Sequence, residues 1–286
     1  MGKGASVVVA SFSGEAALRR CLESLEPQAT GAEVVVATDA DAGGVARLQE
    51  RFPCFRFLSA PPGTSVFRLR SMGVDQASGP LVAMTEDHCT FAPGWLDALR
   101  AGLRNGHAIV GGPVENGLAS RAYDVALYLC EYAAHMPPLQ DGPVPALSGV
   151  NVAYERRLLL GCRGVWQEAF YENEVHDALR DLGHGLHRSG TASVTSHLSL
   201  PVRAAAAHLF RGGRRFGRHR RAHASPALRV VLPVGALALP ALLTWRVLRV
   251  VTARRPERLA ITARGLPCIV ALNSAWAAGE ALGYLG

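Results

Sequence analysis

The sequence predicts an α/β domain with a mostly parallel sheet covered by helices, followed by a basic and apolar C-terminal tail. Short β-branched runs alternate with amphipathic helical patterns through the first half of the chain. Residues 182–256 contain no Asp or Glu, and two apolar stretches, residues 230–245 and 266–286, follow or overlap that region. A folded α/β domain attached to membrane-associated helices accounts for all three observations.

The strands are predicted first, from apolar runs of the kind that parallel sheets bury. They lie at residues 6–11, 33–37, 56–58, 80–85 and 192–197. Helical spacing of apolar residues predicts helices at residues 17–25, 45–52, 67–76 and 93–105, the last with Pro93 at its start. A loop is expected at Pro61-Pro62-Gly63, and a further helix is expected to begin near Tyr154.

The charge is divided unevenly along the chain. The formal net charge is +7, but residues 182–286 carry +13 and the first 181 residues carry −6. An acidic domain joined to a basic, apolar tail fits attachment to an anionic cytoplasmic leaflet. Nucleic acid is the competing partner for basic residues, but these arginines adjoin apolar segments and have only Phe210 and Phe216 as nearby aromatics. We therefore expect a membrane surface and no nucleic acid.

Cysteine usage and the N-terminus indicate the compartment. The six cysteines are scattered without a CxxC pair, which favours a reducing environment. The first apolar run is too short for a signal-peptide core, so the folded domain is expected at the cytoplasmic face of the membrane. The expected organisation is a catalytic domain at residues 1–200, a basic amphipathic segment at 201–228 and two hydrophobic membrane-associated helices at 229–286.

Polar or acidic residues follow three of the predicted strands. The segments are Ser11-Phe-Ser-Gly, Thr38-Asp-Ala-Asp and Thr85-Glu-Asp-His. Ligands of open α/β sheets bind at the carboxyl ends of strands, so these segments are predicted to form one site. The motifs GxGxxG and GxxxxGK[ST] are absent, which argues against a Rossmann dehydrogenase or a P-loop enzyme.

The order and spacing of seven segments resemble the family-2 glycosyltransferases of the GT-A fold, over the first 200 residues. The segments are residues 6–11, 34–39, 68–73, 79–88, 93–96, 148–154 and 172–180. The resemblance implies a Rossmann-like domain that takes a nucleotide-diphosphate sugar and a divalent metal, Mn2+ or Mg2+. The resemblance is to the membrane-associated bacterial type with C-terminal hydrophobic helices. A lipid-linked or envelope-glycan acceptor is expected from the predicted membrane location, since a soluble acceptor would not require anchoring.

The resemblance places the metal at Glu86, Asp87 and His88, the position of the family's DxD motif. A cation there would neutralise the charge that develops on the departing nucleotide. His88 replaces the last Asp of the motif, and imidazole suits Mn2+ better than Mg2+. Asp87 is the expected chief ligand, with Glu86 or His88 beside it and His197 as a third ligand or phosphate contact. The structural alternative is a polar turn that caps the following helix.

Donor binding is assigned by the same resemblance. Ser11 belongs to the donor side, and Asp39 matches the position that holds the base or ribose, with Asp41 as the alternate. Arg68 or Arg70 resembles the arginine near the donor phosphates. The structural alternative for Asp39 is a solvated loop carboxylate, and the alternative for Arg68 or Arg70 is an ordinary surface residue of a helix.

An inverting transferase needs a general base for the acceptor hydroxyl. The family's acidic pair aligns with Asn173-Glu174, so Glu174 is the expected base and Glu172 the second choice. Both acids also fit the alternative of complementing a helix dipole.

The acceptor and donor-sugar pocket is expected near residues 148–151. Asn151 is predicted to bind a sugar hydroxyl or to cap the helix near Tyr154. Trp166, like Trp95, is interpreted as pocket wall or core.

The tail has more than one possible arrangement. Residues 202–221 are predicted to lie in the membrane interface with arginines at headgroup level. The first apolar stretch, with Pro233 and Pro240, is short for a span, and the second is just long enough. Two crossings would place the basic residues 254–264 outside, against the positive-inside rule, so an interfacial hairpin remains open. Small residues near the C-terminus favour close helix contacts or a homo-oligomer.

Two functions of different class fit these patterns. The first is an inverting, metal-dependent glycosyltransferase with a membrane-proximal acceptor. The second is a catalytically silent GT-A-like scaffold or sugar-binding subunit, suggested by His88 and Asn173 in place of acids. The presence of Asp39, Asp87 and Glu174 together favours the enzyme.

Overall fold

The computed structural model describes residues 4–286, which fold into two units. The first, here called the sheet unit, comprises residues 4–115 and Pro137–His197. The second, the helical unit, comprises Asn116–Met136 and Leu198–Gly286. The segment 116–136 thus belongs with the tail in space, although it lies within the first 200 residues of the sequence.

The strands of the described chain form two sheets. They are β1 Ala5–Ser11, β2 Ala32–Thr38, β3 Arg56–Ser59, β4 Leu81–Glu86, β5 Cys89–Phe91, β6 Ile109–Gly111, β7 Val114–Asn116, β8 Gly142–Val144, β9 Val152–Glu155, β10 Leu186–Arg188 and β11 Val194–Ser196. The strands predicted at residues 6–11, 33–37, 56–58, 80–85 and 192–197 are confirmed, with ends that differ by at most two residues.

The helices of the sheet unit are α1 Glu15–Leu25, α2 Ala42–Arg51, α3 Val66–Gln76, α4 Trp95–Arg104, α6 Arg156–Gly161, α7 Arg163–Trp166 and α8 Glu172–Asp181. Those of the helical unit are α5 Ala122–Tyr132, α9 Val202–Ala222, α10 Pro226–Gly235, α11 Leu239–Arg254, α12 Leu259–Arg264 and α13 Leu266–Leu285. The four helices predicted between residues 17 and 105 are confirmed. The helix α4 begins at Trp95 because Gly94 before it adopts a left-handed φ of 77°.

The larger sheet has eight strands in the order β3-β2-β1-β4-β9-β6-β10-β8. The pairs β2–β3, β1–β2, β1–β4 and β6–β10 are parallel, whereas β9 runs antiparallel to both β4 and β6, and β8 antiparallel to β10. Six strands therefore share one direction, which confirms the mostly parallel sheet. A smaller sheet has the order β5-β11-β7.

The helix expected to begin near Tyr154 is α6, which begins two residues later at Arg156. Tyr154 itself lies in the strand β9, Val152–Glu155. The backbone of β9 pairs with strands on both of its sides, and Tyr154 is fully buried in the core beneath them. Pairing on both edges keeps this residue in the sheet.

Glycines bring α9 and α13 into close contact within the helical unit. A Cβ at Gly213 would lie 2.2 Å from the carbonyl oxygen of Trp276, and one at Gly279 would lie 2.0 Å from that of Phe210. Only a residue without a side chain fits at this separation. The small residues that favour a homo-oligomer in the sequence are therefore packed against α9 of the same chain.

The helical unit also contains apolar surface long enough for a membrane. The stretch Pro226–Arg254 is 29 residues long, with a mean hydropathy of 1.9 and 17% of its most apolar part buried. It is longer than the apolar run in the sequence, because Pro240 lies in the first turn of α11 and does not end the helical stretch. A second segment, Pro256–Arg264 followed by Leu266–Leu285, bends by 77°.

Candidate active site

The site forms where β1 and β4 end side by side. In their parallel register Ala10 lies opposite Glu86, and the next residue, Asp87, donates its backbone N–H to the carbonyl oxygen of Ala10 at 3.1 Å. The strand order reverses at this point, because β2 and β3 continue on one side of β1 and β4 lies on the other. Such a reversal is where open α/β sheets bind ligands.

Asp87 fixes the loop that follows β1. Its Oδ2 accepts the backbone N–H groups of Phe12 and Ser13 at 2.8 and 2.6 Å, and its Oδ1 accepts the Ser13 hydroxyl at 2.7 Å. Burial raises the pKa of Asp87, while His88 and the hydrogen bonds from Ser13 and Ser11 act in the opposite direction. The role observed for this carboxylate is to shape the β1 loop, and its role as chief metal ligand stays a prediction.

A buried arginine joins the strand ends to the start of α8. Arg70 on α3 donates one Nη to Glu86 Oε1 and the other to Glu172 Oε2, the latter at 2.7 Å. Burial opposes the charge of Arg70, but the carboxylates of Glu172 and Glu86 outweigh it and raise the pKa of the guanidinium. A Cβ at Gly149 would lie 2.7 Å from this guanidinium, so a side chain at position 149 would require the guanidinium to shift. Of the two arginines left open by the sequence, Arg70 lies at the site.

Two histidines lie beside the acidic turn. His88 Nδ1 lies 3.6 Å from Glu86 Oε2 and 3.9 Å from Asp87 Oδ1. His197 follows β11, and its backbone N–H donates to the His88 carbonyl at 2.7 Å while its Nε2 lies 3.0 Å from Thr90 Oγ1. Burial and the charge of Arg20 lower the pKa of His197, which favours the neutral, ligating form of its imidazole.

The acidic turn carries donor types that suit a divalent cation, since Mn2+ accepts both oxygen and nitrogen ligands. His88 Nδ1 is near a carboxylate oxygen of Glu86 and of Asp87, at 3.6 and 3.9 Å. The strand β11 pairs antiparallel with β5 directly after the turn and brings the backbone of His197 to His88, whereas the His197 imidazole lies against Thr90. The role of Glu86, Asp87, His88 and His197 as metal ligands stays a prediction.

The residues predicted to bind the donor each have a hydrogen-bond partner within the protein. Asp39 Oδ2 accepts the backbone N–H of Gly63 at 3.0 Å, which ties the β2 end to the loop after β3. Asp41 is the N-cap of α2 and accepts from Gly44 N at 3.0 Å, a bond that lowers the pKa of its carboxyl. Ser11 is buried and its hydroxyl accepts from Thr38 Oγ1 at 3.2 Å. Arg68 is exposed and donates to the carbonyl of Gln167 at 2.9 Å, away from the acidic turn.

Both candidate bases lie in the first turn of α8. Glu172 begins the helix and is held by Arg70. Glu174 follows two residues later and is half-buried. Beneath them the Tyr154 hydroxyl and His176 Nε2 lie 2.9 Å apart. Burial and the nearby Glu172 raise the pKa of Tyr154, which keeps the phenol protonated.

Asn151 and Trp166 have structural contacts. The Asn151 amide accepts from Trp95 Nε1 at 2.8 Å and donates to the carbonyls of Pro113 and Ala192 at 2.8 and 2.7 Å. These bonds use both of its N–H groups, and the expected capping role is wrong because the N-cap of α6 is Glu155. Trp166 is fully buried and donates to the Leu159 carbonyl at 2.7 Å, so it belongs to the core and not to a pocket wall.

Three residues of the site are not singled out by the sequence. They are Gly149, Ser13 and Thr90, which act through the space they leave or through hydrogen bonds. Gly149 and Ser13 carry a weak signal, because each lies in a segment that the sequence assigns to the site. Thr90 carries none, since its partner His197 is distant in the chain.

Comparison with known proteins decides the family. The model of Glycosyl transferase family 2 matches residues 6–159, which is more than half of the chain. The chain belongs to glycosyl transferase family 2. A search of curated proteins found no match to the sequence.

Solved structures show that this family-2 chain has the GT-A fold. The mannosyltransferase PcManGT from Pyrobaculum calidifontis, in complex with GDP-Man and Mn2+, matches 97% of this chain and 86% of its own, at 15% identity and a TM-score of 0.60. TarS residues 1–349 from S. aureus match over 95% of this chain and 90% of their own, at 13% identity and a TM-score of 0.54. GalNAc-T7 with UDP, GalNAc and Mn2+ matches 68% of this chain and 43% of its own, at 16% identity and a TM-score of 0.52.

Proposed function

We propose that this family-2 protein is an inverting glycosyltransferase that moves a sugar from a nucleotide-diphosphate donor to a membrane-proximal acceptor. The observation that supports the proposal best is the pairing of buried Arg70 with both Glu86 and Glu172. It holds the acidic turn after β4 and the acidic first turn of α8 in one arrangement. The scaffold alternative gives no reason to bury a cation between these two groups.

The donor would lie across the ends of β1, β2 and β4. Asp39 would accept hydrogen bonds from the base or ribose, and the loop shaped by Asp87 would lie beside the diphosphate. GDP-Man and UDP in the structures of PcManGT and GalNAc-T7 support a nucleotide donor here.

Glu86, Asp87, His88 and His197 would hold the divalent cation, with Mn2+ favoured by the two imidazoles. The cation would supply Lewis-acid stabilisation of the charge on the departing diphosphate. Within this set we assign Asp87 the additional task of fixing Phe12 and Ser13, since three of its acceptor positions are used there.

Glu174 would act as the general base, with Glu172 as the alternative. The carboxylate takes the proton of the acceptor hydroxyl while the hydroxyl oxygen bonds to the anomeric carbon. The bond from that carbon to the diphosphate oxygen breaks on the opposite side, which inverts the configuration and releases the nucleoside diphosphate. Glu172 is tied to Arg70, whereas Glu174 aligns with the acidic pair of the family, which supports Glu174 as the first choice.

The helical unit would anchor the enzyme at the cytoplasmic face of the membrane. Pro226–Arg254 is long and apolar enough to cross a bilayer. Anchoring brings the site near a lipid-linked or envelope-glycan acceptor and is unnecessary for a soluble one.

Release of nucleoside diphosphate tests the transferase proposal. The full chain, reconstituted with membrane lipid extract, is incubated with UDP-, GDP- or TDP-sugars in Mn2+ or in chelator. We expect one donor to be turned over, only with metal, and we expect Glu174→Gln to abolish turnover. Absence of turnover and of binding for all donors would favour the scaffold.

A further inference from the structure

An open pocket in the helical unit is lined mainly by arginines. Its volume is about 400 Å³, and its lining residues are Arg218, Arg221, Ala222, Arg229, Gly283, Leu285 and Gly286. All of them come from α9, α10 and the end of α13. Guanidinium groups recognise phosphate oxygens, so a pocket with three arginines in its lining has the chemistry that suits a phosphate-sized anion.

Two of the three arginines are held in place by backbone carbonyls. Arg221 donates through Nη1 to the Tyr284 carbonyl at 3.0 Å. Arg229 donates through Nε to the carbonyls of Ala224 and Arg221 at 3.0 and 3.2 Å. A guanidinium has five N–H donors, so most donors of both groups remain for a ligand. Their positions are fixed before any ligand arrives, which lowers the entropic cost of binding.

The charge of the pocket is not balanced by acidic side chains. Among residues 4–286, no Asp or Glu side chain pairs with Arg218, Arg221 or Arg229. The buried Glu280 of α13 is instead paired with Arg220, which lies outside the pocket lining. Gly286 in the lining bears the terminal carboxylate of the sequence, but three guanidinium groups outnumber it, so an anionic ligand would meet net positive charge.

Apolar surface continues directly from the pocket. Val230 and Val231, which follow Arg229 on α10, are 75% and 60% exposed, and Leu237 beyond them is 82% exposed. Leu285, in the pocket lining, is 65% exposed. A free phosphate ion would use only the arginines, whereas a phospholipid would use the arginines for its headgroup and the apolar surface for its acyl chains.

We infer that this pocket, bounded by Arg218, Arg221 and Arg229, binds the phosphate headgroup of an anionic membrane phospholipid. The site is distinct from the candidate active site and does not depend on sugar transfer. It would fix the helical unit to a leaflet rich in anionic lipid at a defined depth, with the valines of α10 in the acyl region.

Lipid retention by the full chain tests the inference. Protein purified in neutral detergent is titrated with phosphatidylglycerol, phosphatidic acid or phosphatidylcholine, and bound lipid is counted by native mass spectrometry. Arg218→Gln removes one pocket guanidinium, and Arg211→Gln is the matched control, an exposed arginine of α9 outside the pocket. We expect one anionic lipid to be retained and phosphatidylcholine to be lost, with affinity about fivefold weaker in Arg218→Gln and unchanged in Arg211→Gln.

Competition separates the two sources of phosphate. Glycerol phosphate and inorganic phosphate are added in excess over the bound phospholipid. Persistence of the lipid supports a headgroup site with acyl contacts, and its displacement by either soluble phosphate overturns the lipid assignment. Equal losses in Arg218→Gln and Arg211→Gln, or equal retention of phosphatidylcholine, would show diffuse attraction and overturn the pocket itself. Because no sugar donor is present, the result is independent of the transferase proposal.

Discussion

Arg70 donates to Glu172 across 102 positions of the sequence, at 2.7 Å between Nη1 and Oε2. Its other Nη reaches Glu86, at the end of β4. One guanidinium therefore sets the distance between the acidic turn and the first turn of α8. This relationship couples the part of the site assigned to the donor with the part assigned to the base.

Replacing Arg70 is expected to destabilise the sheet unit. Arg70→Ala leaves the buried Glu86 and the partly buried Glu172 without their cation, and loss of one partner of a buried pair costs about 3–5 kcal/mol. The measurement is chemical denaturation of the detergent-solubilised protein. Arg68→Ala is the control from the same helix, since Arg68 is exposed, and little change is expected. Equal stability of the two variants would contradict the role of Arg70.

The glycine beside Arg70 gives a second test. A methyl group at Gly149 would lie 2.7 Å from Nη1, so Gly149→Ala is expected to displace the guanidinium and cost about 1–3 kcal/mol. Gly164→Ala is the matched control, because its Cβ meets no atom within 4 Å. Thermal unfolding should show a lower midpoint only for Gly149→Ala. A midpoint for that variant at the parent value would mean that the site has room for the methyl group.

The two acids of α8 are expected to behave differently. Glu174→Gln removes the proposed base, so nucleoside diphosphate release should fall by about 100-fold or more while donor affinity stays near that of the parent. Glu172→Gln keeps the shape of the side chain but weakens the bond to Arg70, so it should lower stability. Full activity in Glu174→Gln together with inactive, stable Glu172→Gln would assign the base to Glu172 instead.

Asp87 should be required for metal-dependent nucleotide binding. Asp87→Ala removes a carboxylate of the proposed cation site and three hydrogen bonds to the β1 loop, so binding in Mn2+ should be lost. His88→Ala leaves those hydrogen bonds in place and should weaken binding only in the presence of metal. Calorimetry of both variants, with and without chelator, measures the difference. Parent-like, metal-dependent binding by Asp87→Ala would remove Asp87 from the site.

Close packing in the helical unit can be tested without any ligand. Gly279→Ala places a Cβ 2.0 Å from the Phe210 carbonyl, which requires α9 and α13 to separate. Gly235→Ala is the control, since nothing lies within 4 Å of its Cβ. Intramolecular packing predicts that Gly279→Ala lowers the thermal midpoint of a protein whose mass in detergent is unchanged. If the same substitution instead dissociated a dimer, the glycines would serve self-association.

Much of the sheet unit could be predicted from the sequence because its signals are local. The run Val7-Val8-Val9 is apolar on both faces and indicates a buried parallel strand, as β1 proves to be. Polar strand ends are equally local, and parallel topology brings them to one edge. This is why Glu86, Asp87 and the loop after β1 could be placed together before the structure was known.

The rest depends on contacts between distant segments. The sequence predicts the start of a helix near Tyr154, but this residue still belongs to β9, because strands on both sides supply backbone partners. Arg68 and Arg70 are equivalent in sequence, and only packing shows that Arg70 is buried between two acids. Asn151 is of a residue type that often binds ligands, yet its amide group joins three distant segments of the chain.

Donor binding tests the central claim most directly. UDP-, GDP-, TDP- and CMP-linked sugars are titrated by calorimetry into the full chain reconstituted in lipid, first with Mn2+ and then with chelator. We predict tight binding of one nucleotide-diphosphate sugar in Mn2+ and loss of that binding in chelator. Failure of every donor to bind under both conditions would contradict a glycosyltransferase and leave a GT-A scaffold.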